Sequence, residues 1–402
     1  MERKSMDRET YRILLLTGEV SGDIYGAKLY KTLMERYPNL EIFGVGGSNM
    51  KRSGMKILFD STSWGTIGIV EALKKAPRLI GVYRNLKRIL EQEQVDCLVA
   101  IDYPGFNMSL VRVAKRLGIP TVFYFPPAKW ARHSREVMEA ARTITKVCAT
   151  FDSTKRIYEA AGADVEFVGH PIVDDCRASA PVEQLRAEFE VPEDRIVVSL
   201  LPGSREKEVD YLLSTLLSTA ENLASLRRDI QFVIPLAPAT YEMLQSPENK
   251  RLLNMIENGR EKLGIKVIIG RTIDVLSMSR LAVVASGTAT LEAAYCRVPM
   301  VLIYKVSLFT ELFAKAFANL PRFYGLPNLI FGKRFIPELI QEEVNPQRVT
   351  SEVLAILDNP EKYLYMKRCL EQVATNLGSP GANRRVADII FDLCRKHAGK
   401  KE

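Results

Sequence analysis

Short apolar runs alternate with longer segments of mixed polarity along most of the chain. The runs end in Gly, Ser, Asp or Pro and lead into stretches with helical periodicity. This predicts strands at 11–17, 41–45, 95–101, 120–125, 147–151 and 165–168. The second half repeats the alternation, with strands at 196–200, 232–236, 267–269, 282–285 and 300–304. Helices fill the intervals, notably 24–36, 153–161, 209–226, 240–258 and 289–296; residues 51–63 read as irregular and 307–320 as an apolar helix. The tail reads as two helices, 361–377 and 382–397. Strands that are apolar throughout, rather than alternating, must be covered on both faces, and that means parallel sheets. The expected fold class is α/β: two doubly wound domains facing across a cleft. A polar, proline-bearing stretch at 171–195 marks the boundary, giving domains 1–175 and 176–360 and C-terminal helices over 361–402.

Candidate chemistry sits where the predicted strands end, because open α/β sheets bind ligands at the carboxyl ends of their strands. The first strand ends in Gly18-Glu19-Val20-Ser21-Gly22-Asp23. This is either a ligand loop offering Glu19, Ser21 and Asp23, or a plain turn with Asp23 as a helix cap. Asp102 ends the buried run 95–101. A carboxylate there is rigidly held and partly desolvated, as a general base requires, though it also suits a helix cap. In the second half, the run at 196–201 breaks at Pro202-Gly203-Ser204-Arg205 before a charged helix start. Gly203 permits a sharp turn, and free N–H groups at the helix start beside Arg205 would suit a phosphate. A second small turn, Ser286-Gly287-Thr288-Ala289-Thr290 with Glu292 beyond, follows the run at 281–285. Neither turn is a Walker loop or G-x-G-x-x-G. Two of them in one domain point to a pyrophosphate or nucleotide. His170, in Gly169-His170-Pro171, reads equally as a phosphate contact or as a linker histidine with its bonds satisfied. Asn328, after Pro327, is either a ligand donor or a turn residue. The segment from Trp64 to Ile80 is amphipathic with a basic side. It reads as an interfacial membrane helix or as an ordinary core-facing one, with the ordinary reading ahead on the residues alone.

Composition narrows this modestly. With 402 residues and 47% apolar content the chain supports two cores. The net charge of +8 suits an anionic ligand or an acidic membrane surface; without a dense basic run or a recognised motif, nucleic acid is not an expected partner. The six cysteines have no C-x-x-C spacing and the three histidines complete no zinc pattern, so they read as reduced buried thiols, with no metal. No segment reaches the roughly 20 apolar residues of a membrane span.

The stretches G-E-V-S-G-D at 18–23, W-G-T-I-G-I-V-E at 64–71, A-I-D-Y-P-G-F-N at 100–107, F-V-G-H-P at 167–171, L-P-G-S-R at 201–205, A-S-G-T-A-T-L-E at 285–292 and L-P-N-L at 326–329, taken in this order, resemble the lipid-A-disaccharide synthase family. The resemblance implies the GT-B glycosyltransferase fold, with the last helices crossing back to the first domain. It implies no cofactor and no metal. The implied reaction is inverting transfer of 2,3-diacylglucosamine from UDP-2,3-diacylglucosamine to 2,3-diacylglucosamine 1-phosphate (lipid X), giving a β-1,6-linked disaccharide 1-phosphate and UDP. By the same resemblance Asp102 is the base for the acceptor hydroxyl, and Arg205 neutralises the departing diphosphate. Gly203, Ser204, Ser286, Gly287, Thr288, Ala289, Thr290, Glu292, Asn328 and His170 join Glu19, Ser21 and Asp23 in binding substrate. Trp64, Ile67, Ile69, Val70 and Leu73 meet membrane or acyl chains. The implied location is cytoplasmic and peripheral on the inner face of the inner membrane; the oligomeric state is left open by the sequence, with a homodimer as one candidate. One stretch departs from the family pattern: 127–132 reads P-A-K-W-A-R where P-Q-V-W-A-W is usual. The alternatives are a diverged UDP-sugar enzyme of the same fold, such as a UDP-N-acetylglucosamine 2-epimerase, and a non-catalytic UDP-sugar binder.

Overall fold

The computed structural model describes residues 10–62, 64, 69–127, 135–305 and 322–399. The chain forms two compact units, one of Met1–Pro171 with Gly378–Glu402 and the other of Ile172–Leu377.

The first unit is a seven-stranded sheet in the order β3-β2-β1-β4-β5-β6-β7, built from β1 Tyr11–Thr17, β2 Leu40–Gly46, β3 Lys56–Asp60, β4 Cys97–Ile101, β5 Thr121–Tyr124, β6 Lys146–Ala149 and β7 Val165–Phe167. Every pairing is parallel. Between the strands run α1 Val20–Arg36, α2 Ser48–Arg52, α3 Ile69–Gln92, α4 Pro104–Arg116, α5 Arg135–Thr143 and α6 Asp152–Ala160. The two-residue period of a strand sends Leu14, Leu16, Leu98, Ala100 and Phe123 to one face and Ile13, Leu15, Cys97, Val99 and Val122 to the other. Both faces are covered, which is why these strands read as unbroken apolar runs.

The second unit repeats the plan with six strands in the order β10-β9-β8-β11-β12-β13: β8 Ile196–Leu201, β9 Ile230–Leu236, β10 Lys266–Ile269, β11 Ser279–Ala285, β12 Met300–Tyr304 and β13 Glu338–Ile340. All are parallel again. Its helices include α7 Val182–Glu188 before β8, then α8 Glu206–Leu226, α9 Pro238–Leu244, α10 Lys250–Leu263, α11 Thr272–Met278 and α12 Ala289–Tyr295.

Several expectations need correction. β3 lies within the stretch expected to be irregular, and β13 was not anticipated at all. Both are sheet edges, where one side lacks a neighbouring strand. The ends of β3, Lys56 and Asp60, are exposed and β13 is only three residues beginning at Glu338, so neither strand shows a long apolar run. The single helix expected over 240–258 is two, separated by a turn at Pro247, which has no N–H to continue the ladder. α1 begins at Val20, so Ser21, Gly22 and Asp23 form its first turn rather than an open loop. The helix expected at 307–320 lies outside the described residues.

The tail is divided between the two units. Tyr363, Met366, Leu370 and Val373 of the helix Pro360–Asn376 belong to the core of the second unit. Val386, Ala387, Ile390 and Cys394 of the helix Ala382–Ala398 close one face of the first sheet, against Ile13, Leu15 and Val99. Phe391 stacks on Tyr37 at 4.0 Å between ring centroids, and Asp388 accepts from Arg36 and from the Tyr37 hydroxyl at 2.7 and 2.6 Å. The segment expected as 361–402 therefore splits after Leu377, because each helix follows the apolar surface it fits.

Ile390 is fully buried in that face. Ile390→Ala is expected to destabilise the first unit by about 2–5 kcal/mol, measured as a lower urea midpoint for the transition of that unit.

Candidate active site

Each sheet reverses its strand order once, between β1 and β4 in the first unit and between β8 and β11 in the second. At such a point the flanking connections leave toward opposite faces and a crevice opens at the carboxyl ends of the strands. Thr17 pairs with Ile101, so Gly18–Ser21 and Asp102–Tyr103 leave the first sheet side by side. Val284 pairs with Leu201, which does the same for Pro202–Arg205 and Ser286–Thr288.

In the first unit Asp102 is half-buried at the tip of β4. Asp102 and Tyr103 both take left-handed backbone angles, φ 53° and 48°. For a residue with a side chain this costs about 1–2 kcal/mol each. Asn107 holds the turn by donating to the Asp102 and Ile101 carbonyls at 2.7 and 3.3 Å. The Asp102 carboxylate accepts the Tyr103 N–H at 2.8 Å and the Ser21 hydroxyl at 3.5 Å. Burial raises its pKa above the usual carboxylate range, and the bonds from Tyr103 and Ser21 only partly oppose this. The Tyr103 ring lies across Gly18, where a Cβ would overlap it, so the first glycine of the G-E-V-S-G-D stretch makes room for an aromatic wall beside the carboxylate. Burial raises the Tyr103 phenol, and the charge of exposed Glu19 adds to it.

Trp64 continues that wall. It packs on Tyr103 and Phe106 at 6.2 and 5.2 Å and is buried in the core, which corrects its expected place on a membrane-facing surface. Ile67 and the side chains of Ile69, Val70 and Leu73 lie outside the described residues, as does the divergent loop from Ala128 to Arg132. Asp23 is also corrected. Its buried carboxylate accepts from the N–H groups of Gly47, Asn49 and Met50 at 2.7, 2.9 and 3.1 Å, so it caps α2 instead of facing a ligand. His170 is buried among Tyr25, Phe125 and Phe151. Burial lowers its pKa to about 3, helped by the charge of Lys28, so near neutral pH it carries no charge to offer a phosphate.

In the second unit Gly203 turns the chain at φ 101°, and Ser204 and Arg205 are exposed. The N–H groups expected to be free here have a partner: Glu208, in the first turn of α8, accepts from Ser204 and Arg205 at 3.3 and 3.4 Å. Beside this loop, Ser286, Gly287, Thr288 and Ala289 lie at or near the surface. The Ser286 hydroxyl donates to the Tyr324 carbonyl at 3.0 Å. Thr290 is fully buried and donates to the Gly287 carbonyl at 2.6 Å; it shapes the turn and does not face a ligand. Glu292 is half-buried on α12.

Asn328 is 0% exposed, so its expected contact with a nucleotide is corrected. It accepts from the Phe335 and Ile336 N–H groups at 2.9 and 3.1 Å and donates to the Ile336 carbonyl and Glu338 at 3.0 and 2.7 Å. Glu338, also buried, accepts the N–H groups of Tyr324 and Gly325 at 2.8 and 2.9 Å. This pair fixes the segment that meets Ser286. Sequence reasoning missed Tyr103, Glu208, Tyr324 and Glu338. Only Glu208 left a local signal: a Glu three residues after the residue that starts a helix.

A family model described as Lipid-A-disaccharide synthetase matches residues 13–390. A lipid-A-disaccharide synthase of Syntrophus aciditrophicus is 33% identical over 384 residues, 96% of this chain and 98% of its own. One from Geobacter sulfurreducens is 34% identical over 390 residues, covering 97% and 99%. Among solved structures, a putative UDP-N-acetylglucosamine 2-epimerase from Listeria monocytogenes has a TM-score of 0.58 at 15% identity, with 94% of each chain covered. The UDP-GlcNAc 2-epimerase of Neisseria meningitidis has 0.57 at 12%, covering 95% of this chain and 100% of that one. The structural likeness carries the fold alone, a GT-B type with two Rossmann-like domains.

The raised pKa of Asp102 makes a stability prediction. The folded state holds this proton more tightly than the unfolded chain, so stability falls as pH rises from the usual aspartate range through the raised value. Asp102→Asn is expected to be more stable than the parent at neutral pH, with the difference vanishing in acid, read from denaturation midpoints across pH. Asn328→Ala, which strands two N–H groups in the core, is expected to cost on the order of 3 kcal/mol in chemical denaturation of the second unit.

Proposed function

The chain belongs to the lipid-A-disaccharide synthase family, and from that premise we propose how each of its two units serves the transfer. The enzyme is a glycosyltransferase of lipid A disaccharide synthesis, using a UDP-sugar donor and a lipid acceptor. The proposed donor is UDP-2,3-diacylglucosamine and the proposed acceptor is 2,3-diacylglucosamine 1-phosphate. The acceptor 6-hydroxyl attacks the anomeric carbon, the bond to the diphosphate breaks with its electron pair leaving on UDP, and the hydroxyl proton goes to Asp102.

The observation that carries this reading is the state of Asp102. A carboxylate with a raised pKa is a better proton acceptor than an exposed one, and the strained turn keeps it at a strand tip. Glu19 and Ser21 flank it as acceptor contacts. In the second unit Arg205 has a side chain 68% exposed, within reach of a developing charge. The N–H groups that open α8 add the positive end of its dipole. Together they would meet the charge growing on the diphosphate. Ser286–Ala289 and Glu292 complete the proposed UDP site, held from beneath by Thr290, Asn328 and Glu338.

Membrane contact belongs to the proposal as well. Among the described residues no helix is long and apolar enough to cross a membrane. The opening turns of α3 with Ile67 would touch lipid, and exposed Arg78, Arg84 and Arg88 further along α3 would favour anionic headgroups on the cytoplasmic side of the inner membrane. A homodimer is the proposed assembly.

The test is disaccharide formation by purified protein from the two lipids. Asp102→Ala is expected to lower the rate by about 10²–10⁴-fold, and Arg205→Ala by about 10²–10³-fold. Unimpaired transfer by Asp102→Ala would overturn its role as the base.

A further inference from the structure

A carboxylate of the chain itself lies in the loop assigned to the diphosphate. Glu208 turns back over Gly203–Arg205, and its side chain is only 20% exposed. One oxygen accepts the N–H groups of Ser204 and Arg205 at 3.3 and 3.4 Å, and the other meets the Arg205 guanidinium at 3.1 Å. Gly203 is what lets it come so close: a Cβ there would stand 2.7 Å from that first oxygen and 3.0 Å from the Glu208 Cβ. The charge is felt across the loop, where burial and Glu208 raise the Tyr304 phenol against the opposing effect of Arg205.

Two N–H groups and one guanidinium are the groups a diphosphate would take. A carboxylate and a phosphate on the same donors repel strongly at such short range. The long bonds from the two N–H groups and the exposed guanidinium describe a partner that can be displaced. We propose that Glu208 is an intramolecular competitor for the diphosphate: between turnovers it occupies the loop N–H groups and Arg205, and by returning to them it expels UDP. This rests on the assignment of the loop and Arg205 to the diphosphate. Glu208 is thus a positioning residue that tunes product release, beyond its service as a cap to α8.

Substitution separates the two roles. Glu208→Gln keeps an acceptor oxygen for the cap and removes the charge; Glu208→Asp keeps the charge but withdraws it by one methylene. Binding of UDP to the full-length protein is measured by titration calorimetry, alongside product inhibition by UDP. Glu208→Gln is expected to tighten UDP about tenfold, with less gain at high salt. Its thermal midpoint should stay near that of the parent, and kcat should fall as release slows. Glu208→Asp should tighten UDP by a smaller factor. In an Arg205→Ala background the gain from Glu208→Gln should shrink to about twofold or less. UDP binding that is unchanged or weaker in Glu208→Gln would overturn the proposal and leave Glu208 as a cap. If the parent protein binds no UDP, the diphosphate assignment itself fails and the proposal with it.

Discussion

Parallel pairing of β1 with β4, and of β8 with β11, is the constraint on which the rest of the molecule depends. A parallel strand cannot return by a tight hairpin, so each needs a crossover, and crossovers on opposite faces must part somewhere. Where they part, a crevice opens at the ends of two adjacent strands. Glu19, Ser21 and Asp102 stand at one such place and Gly203, Arg205 and Ser286 at the other. The same strand order, built from unlike sequences, yields one site dominated by a carboxylate and one dominated by donors.

The two sites are made rigid by different means. In the first, strain is held in check by hydrogen bonds: two left-handed residues persist because Asn107 donates to the Asp102 carbonyl from its side chain and to the Tyr103 carbonyl from its backbone N–H, and an aromatic wall closes over Gly18. The turn presents Asp102 in partial burial, and burial shifts its proton affinity. In the second unit the support is a buried polar pair. Asn328 and Glu338 satisfy one another and four backbone N–H groups, those of Tyr324, Gly325, Phe335 and Ile336. Such a pair is costly if broken, since each group would be left desolvated and alone. Arg205 is left largely exposed beside the Glu208 carboxylate that pairs with it.

What the chain determines locally is its order of strands and helices, its layered α/β class and the places where loops rich in Gly, Ser and Asp end buried strands. These follow from patterns within a few residues: unbroken apolar runs and the residues that interrupt them. The positions of Asp102, directly after a run, and of Arg205, in the loop that follows one, were legible for that reason. Two of the four edge strands were not, because half-exposed β3 and short β13 carry no such run, whereas the edges β7 and β10 were. The tertiary structure alone decided the role of every residue whose partner is distant. Asp23 meets Gly47, His170 meets Tyr25, Trp64 meets Phe106 and Asn328 meets Glu338. Asp23, His170 and Asn328 each read as a ligand contact or a scaffold residue, and Trp64 as part of a membrane-facing or a core-facing segment, because polar and aromatic side chains near strand ends serve ligands and scaffolds alike. Only burial and the geometry of the partner tell the two apart, and neither is written in local sequence. The same reason divides the tail: two adjacent amphipathic helices look alike in the chain, and it is the surface each one covers that assigns them to different units.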